Sequence, residues 1–254
     1  MRRFELAEPQ TLEEACALLS DDGDAKALAG GTALLTLIKH GIFIPKTLVN
    51  LKKIGGMSGI DYDRQRGLRI GALTRIYDVE SSPVVGEHYP WLAEACHVVA
   101  NIRIRNMATI GGNLAHGDYQ SDPPTMLVAL DAGVELMRRE GTRQMKLSEF
   151  LLGSYETALE PGELLSALVV PPPDNWRGTY VKFTPVLRKR GHAPASPHFY
   201  AWSKAYAAIC GWWWARFRPG RCVCTTRKNL RAAKKSLKPF CRRSAPKRAT
   251  LSSP

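Results

Sequence analysis

Acidic residues are missing from the last 69 positions of this 254-residue chain. All 23 acidic residues lie within residues 1–185, together with 19 of the 36 lysines and arginines, so this part carries a net charge of −4. Residues 186–254 hold the other 17 basic residues. The chain therefore divides into a mildly acidic part and a basic tail, and its overall charge of +13 does not by itself indicate a nucleic-acid-binding protein.

Cysteines are few, and no apolar run is long. Cys16 and Cys96 are isolated within the first 185 residues, which excludes a disulfide framework and suits a reducing compartment. The longest largely apolar run, residues 205–215, is too short to cross a bilayer. The first eight residues become acidic before the apolar core of a signal peptide forms. We therefore expect a cytoplasmic protein without a membrane span.

Side-chain sets that carry out catalysis on their own are also missing from residues 1–185. This part has no Ser-His-Asp set and no dense group of metal ligands. We therefore predict no catalytic side chain and no metal site there. Bond-breaking chemistry is expected to come from a bound cofactor or a partner.

Two glycine pairs are the most informative feature that is present. Residues 109–116 read TIGGNLAH, and residues 29–32 read AGGT before an apolar helical pattern. Glycine permits a tight turn and leaves backbone N–H groups open to a ligand, and a helix N-terminus behind such a turn favours an anion. The sequence therefore predicts two phosphate-binding turns that hold the two ends of one diphosphate.

The remaining pattern mixes short strands with helices. Residues 11–14, TLEE, have the form of a capping box and predict a helix to about Ser20, while residues 55–59, GGMSG, predict a linker between two lobes. Because no regular βαβ alternation is present, we predict an α+β fold. The predicted divisions are a first lobe at residues 1–57, a second at residues 58–177 and a tail at residues 178–254.

Three segments together resemble the FAD-binding medium subunit of molybdenum hydroxylases, the family of carbon monoxide dehydrogenase, xanthine dehydrogenase and aldehyde-oxidising relatives. They are residues 29–32, residues 70–74 (IGALT) and, most specifically, residues 105–116 (RNMATIGGNLAH). The resemblance covers about residues 1–185. It implies two α+β lobes with FAD extended between them, and a smaller C-terminal domain beyond.

The resemblance also implies which residues hold FAD. The backbone of residues 26–34 would line the flavin and its phosphates, with Thr109 and Asn113 hydrogen-bonded to the diphosphate from the other side. Asp122 would hold a ribose or ribityl hydroxyl, and Lys182 would lie near the isoalloxazine, where a cation stabilises the anionic reduced flavin. The complete implied set is Lys26, Ala27, Leu28, Ala29, Gly30, Gly31, Thr32, Ala33, Leu34, Thr109, Ile110, Gly111, Gly112, Asn113, Asp122, Leu164, Leu165 and Lys182.

Simpler structural roles remain open for some of these residues. Asp122 precedes two prolines and could cap the next helix. Leu164 and Leu165, implied to flank the ring system, could equally be core residues. His116 is more typical of a hydrogen-bonded structural histidine than of a catalyst.

The resemblance implies an assembly as well as a cofactor. In the implied assembly, a large molybdenum-cofactor subunit oxidises the substrate and a small iron–sulfur subunit relays the electrons. This chain receives them on FAD and passes them to an external acceptor: NAD, a quinone or oxygen. The expected complex is a heterotrimer that dimerises, and the residues that select the substrate lie in the molybdenum subunit.

The resemblance stops after residues 183–185, where the composition also changes. If acidic residues were as frequent there as in residues 1–185, residues 186–254 would carry about nine of them, but they carry none. The interpretation we favour is a tail translated out of frame, which replaces the C-terminal domain and could leave an inactive remnant. The alternatives are a nucleic-acid-binding tail that uses basic and tryptophan residues and a zinc site formed by Cys222, Cys224, Cys241 and a histidine. In each case we expect a basic tail with little packed structure.

Overall fold

The computed structural model of the chain describes residues 3–173, 177–183 and 196–202. The described strands, β1 to β12 in chain order, are Glu5–Ala7, Ala25–Leu28, Thr47–Asn50, Ile60–Asp63, Gly67–Gly71, Gly133–Arg138, Gly141–Lys146, Leu151–Gly153, Glu156–Thr157, Leu164–Val170, Arg177–Phe183 and Ser196–Trp202. The described helices, α1 to α9, are Leu12–Asp21, Leu34–Lys39, Ile76–Ser81, Pro83–His88, Pro90–His97, Ile102–Arg105, Ile110–His116, Asp122–Ala129 and Leu147–Phe150. A 3₁₀ turn at Leu51–Lys53 follows β3.

The strands form two sheets of different kinds. A small parallel sheet has the order β1-β3-β2. A five-stranded antiparallel sheet has the order β4-β5-β10-β6-β7, and the pairs β8-β9 and β11-β12 are separate two-stranded sheets. This separation of a small parallel sheet from a larger antiparallel one, with helices between them, confirms the predicted α+β class.

Helix α1 joins the two main sheets. The Thr11 hydroxyl accepts a hydrogen bond from the Glu14 amide at 3.1 Å, which confirms the predicted helix start. On the inner face of the helix, Ala15 and Cys16 are completely buried, and the Cys16 thiol donates to the Met137 carbonyl of β6 at 3.5 Å. Residues of both predicted lobes therefore belong to one continuous hydrophobic cluster.

The segment predicted as a linker is packed against the end of β5. Met57 is buried, and its carbonyl accepts from the Leu73 amide at 2.7 Å. The Thr74 hydroxyl accepts from the Gly59 amide at 3.0 Å and lies 3.1 Å from the Gly59 carbonyl, to which it donates. These bonds fix residues 57–59, so the segment between the two predicted lobes has a defined path.

The predicted tail lies mostly outside the described residues, and Cys222, Cys224 and Cys241 lie outside them as well. Its described parts belong to β11 and β12, which pair antiparallel with Arg177 opposite Trp202. The tail was expected to have little packed structure. Strand β12 is an exception, because it pairs with β11. Across the described ranges, no helix is long and apolar enough to span a membrane.

Candidate cofactor site

The first glycine pair forms the turn between β2 and α2. Gly31 has a φ of +78°, a backbone angle that favours glycine. Gly30 lies against the backbone of Met107 and Ala108, where an added Cβ would come within 2.2 Å of the Met107 carbonyl oxygen. The turn therefore requires glycine at both positions. Gly31 is needed for its positive φ, and Gly30 is needed because the backbone of Met107 and Ala108 leaves no room for a side chain.

This turn presents backbone hydrogen-bond donors for which the described part of the chain supplies no acceptor. Among the residues that the structure describes, none accepts a hydrogen bond from the backbone N–H groups of residues 30–33. Helix α2 follows directly, and Ala33 in its N-cap position provides no side-chain cap. Several unpaired amides in one turn favour an anion with several oxygens. The first turn therefore has the properties that the sequence predicted for a phosphate-binding turn.

The second glycine pair is built differently. The Ile110 and Gly111 amides donate to the carbonyls of Thr74 and Ala72, each at 2.9 Å, and the Gly112 amide donates to the Thr109 hydroxyl at 3.2 Å. The expectation that this turn exposes free N–H groups is therefore wrong. Its first glycine serves close packing instead, because a Cβ on Gly111 would lie 2.4 Å from the Cβ of Ala72.

The two turns nevertheless lie side by side. A Cβ built on Gly112 would be 3.5 Å from the Cβ of Ala29, next to the contact between Gly30 and Met107. The second turn contributes side-chain donors to this place. Thr109 accepts from Gly112 and keeps its own hydroxyl hydrogen, and Asn113 accepts through Oδ1 from the Ser121 hydroxyl at 2.7 Å, which leaves its NH₂ group to donate. Backbone donors of one turn and side-chain donors of the other therefore belong to two turns that lie side by side.

Asp122 lies next along the chain, as the first residue of α8. It is 3% exposed, and its carboxylate accepts hydrogen bonds from the Tyr180 hydroxyl and from the Lys182 ammonium, the latter at 2.7 Å. Burial raises the pKa of Asp122, and the bonds from Lys182 and Tyr180 act in the opposite direction. The carboxylate therefore bonds to β11, whereas the possibility left open by the sequence was a cap on its own helix.

Lys182 is shared between this carboxylate and the protein backbone. Its ammonium also donates to the Val98 carbonyl, at 3.2 Å, just after α5. The side chain therefore joins three elements, β11, α8 and the end of α5. Its positive charge is balanced by Asp122, so it is not a lone cation.

The other implied FAD residues have simpler surroundings. Leu164 and Leu165 are both buried in β10 and belong to the hydrophobic cluster. Lys26 lies on β2 with its ammonium 5.9 Å from the centre of the Phe43 ring. His116, which is not in the implied FAD set, lies at the end of α7 and has a tilted ring contact with Tyr155 at 5.2 Å.

Sequence reasoning missed three contributors to this region. Tyr180 contacts Asp122, Ser121 bonds Asn113, and the carbonyl of Ala72 accepts from the second turn. Only Tyr180 had a signal that could have revealed it, because the alternation in a strand puts it on the same face as Lys182.

The sequence predicted no metal site in residues 1–185. The described part of the chain contains no group of three or more His, Cys, Asp or Glu residues that could hold a metal ion.

Comparison with known proteins places the chain in one family. A family model described as the FAD binding domain in molybdopterin dehydrogenase matches residues 2–173. The carbon monoxide dehydrogenase medium chain of Afipia carboxidovorans is 38% identical over 178 residues, which are 69% of this chain and 61% of that one. The corresponding medium chain of Hydrogenophaga pseudoflava is 40% identical over 172 residues, which are 66% of this chain and 59% of that one.

A solved structure shows the same fold. It is the carbon monoxide dehydrogenase from Hydrogenophaga pseudoflava that lacks the Mo-pyranopterin moiety of the molybdenum cofactor. Its matching chain gives a TM-score of 0.74 at 31% identity, with 92% of this chain and 86% of that chain covered. In sequence, the chain spans about three fifths of the length of the curated relatives it matches.

Proposed function

The chain belongs to the family of FAD binding domains in molybdopterin dehydrogenases, with FAD as its cofactor, and we propose that it acts as the flavin subunit of a molybdenum-containing hydroxylase or dehydrogenase. In this role it takes electrons from an iron–sulfur subunit and delivers them to an external acceptor. FAD supplies the redox chemistry when bound, because it accepts two electrons and releases them singly or together. The tasks of the chain itself are to bind the cofactor, orient it and limit its contact with water.

One observation carries the proposal: the two glycine turns lie side by side, and both carry hydrogen-bond donors. The amides of residues 30–33, which have no acceptor among the described residues, fit the oxygens of a diphosphate, and the Thr109 hydroxyl and the Asn113 NH₂ group add donors from the second turn. A diphosphate offers only acceptors, so a site made of donors fits it. A Cβ on Gly30 would fill the place where the turns meet.

Residues further along the chain are proposed to hold the flavin end of FAD. Asp122 keeps acceptor positions on its carboxylate besides those used by Tyr180 and Lys182, and these suit a ribityl hydroxyl. Leu164 and Leu165 would present apolar atoms to the ring system. In place of the lone cation implied by the sequence, we propose that the Asp122–Lys182 ion pair lies near the ring.

The proposed partner subunits are inferred from the relatives that this chain resembles. The relatives named above are medium chains of carbon monoxide dehydrogenase, so we propose a large molybdenum-cofactor subunit and a small iron–sulfur subunit as partners of this chain. Co-expression with both subunits and affinity purification through the large one tests this. Recovery of the chain in the complex supports the assembly, and its absence from a complex of the other two contradicts it.

The alternative of a nucleic-acid-binding protein is not favoured. The family match covers residues 2–173, and the basic tail lies beyond it. The nucleic-acid-binding function would be supported if the full chain bound RNA in a strongly salt-dependent way and lost this binding on removal of residues 186–254.

The proposed function is tested by titrating the purified full chain with FAD and recording the visible spectrum before and after dithionite. We expect bound flavin bands that bleach on reduction. A folded chain that leaves FAD unbound would contradict the proposal and support an inactive remnant.

Two glycine variants make the test specific to the site. Gly31 and Gly41 have nearly the same φ, +78° and +71°, but only Gly31 belongs to the first glycine turn. A β-branched side chain is strained at both positions. We therefore expect Gly31→Val to weaken FAD binding by about tenfold or more, and Gly41→Val to cost stability without changing FAD affinity.

A further inference from the structure

Strand β11 begins after the family match ends at residue 173, yet two of its side chains reach the candidate site. Tyr180 and Lys182 are two residues apart, so they project from the same face of the strand. Their polar ends meet the two oxygens of one carboxylate: the Tyr180 hydroxyl donates to Oδ1 of Asp122 and the Lys182 ammonium to Oδ2. A segment beyond the matched domain therefore determines how this carboxylate is held.

The carboxylate depends on these donors because it is buried. Asp122 and Tyr180 are 3% and 4% exposed, so water contributes little to either group. An unpaired carboxylate in such a place is costly. Without the Tyr180 hydroxyl, Oδ1 loses a strong donor, and the plane of the carboxylate is fixed from one side only.

The effect of this arrangement extends to the second glycine turn. Ser121 precedes Asp122 and donates to Oδ1 of Asn113 at 2.7 Å. A continuous set of bonds therefore runs from β11 through the start of α8 to Asn113 in α7. The position of β11 sets that of Asp122, and Asp122 is connected to the residue proposed to face the diphosphate.

We propose that Tyr180 is a positioning residue for the cofactor: its hydroxyl orients the Asp122 carboxylate so that the remaining acceptor positions meet hydroxyl groups of a bound polyol chain, the ribityl of FAD. The inference rests on the proposed function. It adds that the site extends into β11, at least to residue 182, and is incomplete if the chain is cut at residue 173.

A double-mutant cycle on the full chain tests this. FAD affinity is measured by titration for the wild type, Tyr180→Phe, Asp122→Ala and the double variant, and the visible circular dichroism of the bound flavin is recorded for each. We expect Tyr180→Phe to weaken binding about fivefold to tenfold and to change the flavin band shape. In the Asp122→Ala background, where the hydroxyl has no carboxylate to orient, the same change should have little further effect.

Tyr89→Phe is the matched control. Like Tyr180, Tyr89 is buried, and its hydroxyl donates to the Pro171 carbonyl at 2.9 Å, so the variant loses a comparable bond. We place Tyr89 outside the binding site and expect unchanged FAD affinity and band shape. Thermal unfolding of both phenylalanine variants shows how much stability each loses.

The outcomes separate the two proposals. A wild-type chain that does not bind FAD overturns the proposed function and this inference with it. If the wild type binds FAD and Tyr180→Phe binds it equally well with the same band shape, the inference is overturned and the proposed function stands. An equal loss of affinity in both backgrounds also overturns it, because Tyr180 would then act independently of Asp122.

Discussion

Gly30 lies against the carbonyl of Met107 so closely that a Cβ on Gly30 would stand 2.2 Å from that oxygen and 2.8 Å from the Cα of Ala108. Both neighbours are backbone atoms, which cannot move aside as a flexible side chain would. We therefore expect Gly30→Ala to separate the two turns and to weaken FAD binding at least about tenfold. Fluorescence titration, with unfolding curves for the same samples, measures both effects.

A second glycine serves as the control for this prediction. Gly86 lies in helix α4 with nothing within 4 Å of an added Cβ. Gly86→Ala should therefore stabilise the chain by about 0.5–1 kcal/mol and leave FAD affinity unchanged. Equal FAD affinity of Gly30→Ala and the wild type would show that the contact between Gly30 and Met107 does not define the site.

The local parts of the structure could be predicted from the sequence. The start of α1 follows from Thr11 and Glu14, which are three residues apart. The first glycine turn likewise depends on neighbouring residues, since its glycines, the preceding strand and the following helix are contiguous. Short-range signals of this kind determine backbone conformation before any tertiary contact forms.

The hydrogen-bonding state of the second glycine turn could not be predicted. Its amides are taken up by the carbonyls of Ala72 and Thr74, which lie more than thirty residues earlier in the chain. Tyr180 and Asp122 are 58 residues apart and meet only when the tertiary fold brings β11 to the first residue of α8. Sequence motifs identified the glycines and the aspartate, but the tertiary fold determines which of their donors and acceptors remain free for a ligand.

Thr125 provides a prediction about stability. Its hydroxyl oxygen is buried and has no hydrogen-bond partner among the residues that the structure describes, and the residue is only 6% exposed. Valine has nearly the same shape without the polar atom. We expect Thr125→Val to raise the free energy of unfolding of the FAD-free chain by about 1 kcal/mol, measured by urea denaturation.

Thr74→Val is the matched control, because the buried Thr74 hydroxyl bonds both the amide and the carbonyl of Gly59. This change should destabilise the chain by about 1–3 kcal/mol. If Thr125→Val also destabilises the chain, the Thr125 hydroxyl has a partner that the protein itself or bound water supplies.

The nucleotide sequence tests the interpretation of the tail. All 23 acidic residues precede residue 186, and the family match ends at residue 173. If the tail is translated out of frame, another reading frame downstream of about codon 185 should encode the C-terminal domain of the relatives. Resequencing the gene and translating all three frames checks this. A downstream sequence without such a match in any frame would contradict the interpretation.

Glu163 gives the clearest pH dependence. Its side chain is fully buried, and Arg143 donates to both of its carboxylate oxygens, each at 2.7 Å. Burial alone would raise the pKa of Glu163, but the bonds from Arg143 and from the Glu160 amide lower it overall. A lowered pKa means that the ionised form is stabilised by folding. Its contribution is therefore complete above the pKa of an unfolded glutamate, about 4.3, and is lost as the pH falls through the lower folded value.

We therefore expect Glu163→Gln to lower the free energy of unfolding at pH 7 by about 1–2 kcal/mol, a modest value because Arg143 is partly exposed and its charge is screened. The difference from the wild type should shrink below about pH 4. The pKa of Asp122 is raised, so its effect on the pH dependence of stability is opposite to that of Glu163. Asp122 is present in both proteins, and its contribution therefore cancels in the difference between them. Glu140→Gln, in an exposed pair with Arg138, should change little at any pH. A Glu163→Gln difference that stays constant from pH 7 to pH 3.5 would show that the charge of Glu163 does not stabilise the fold.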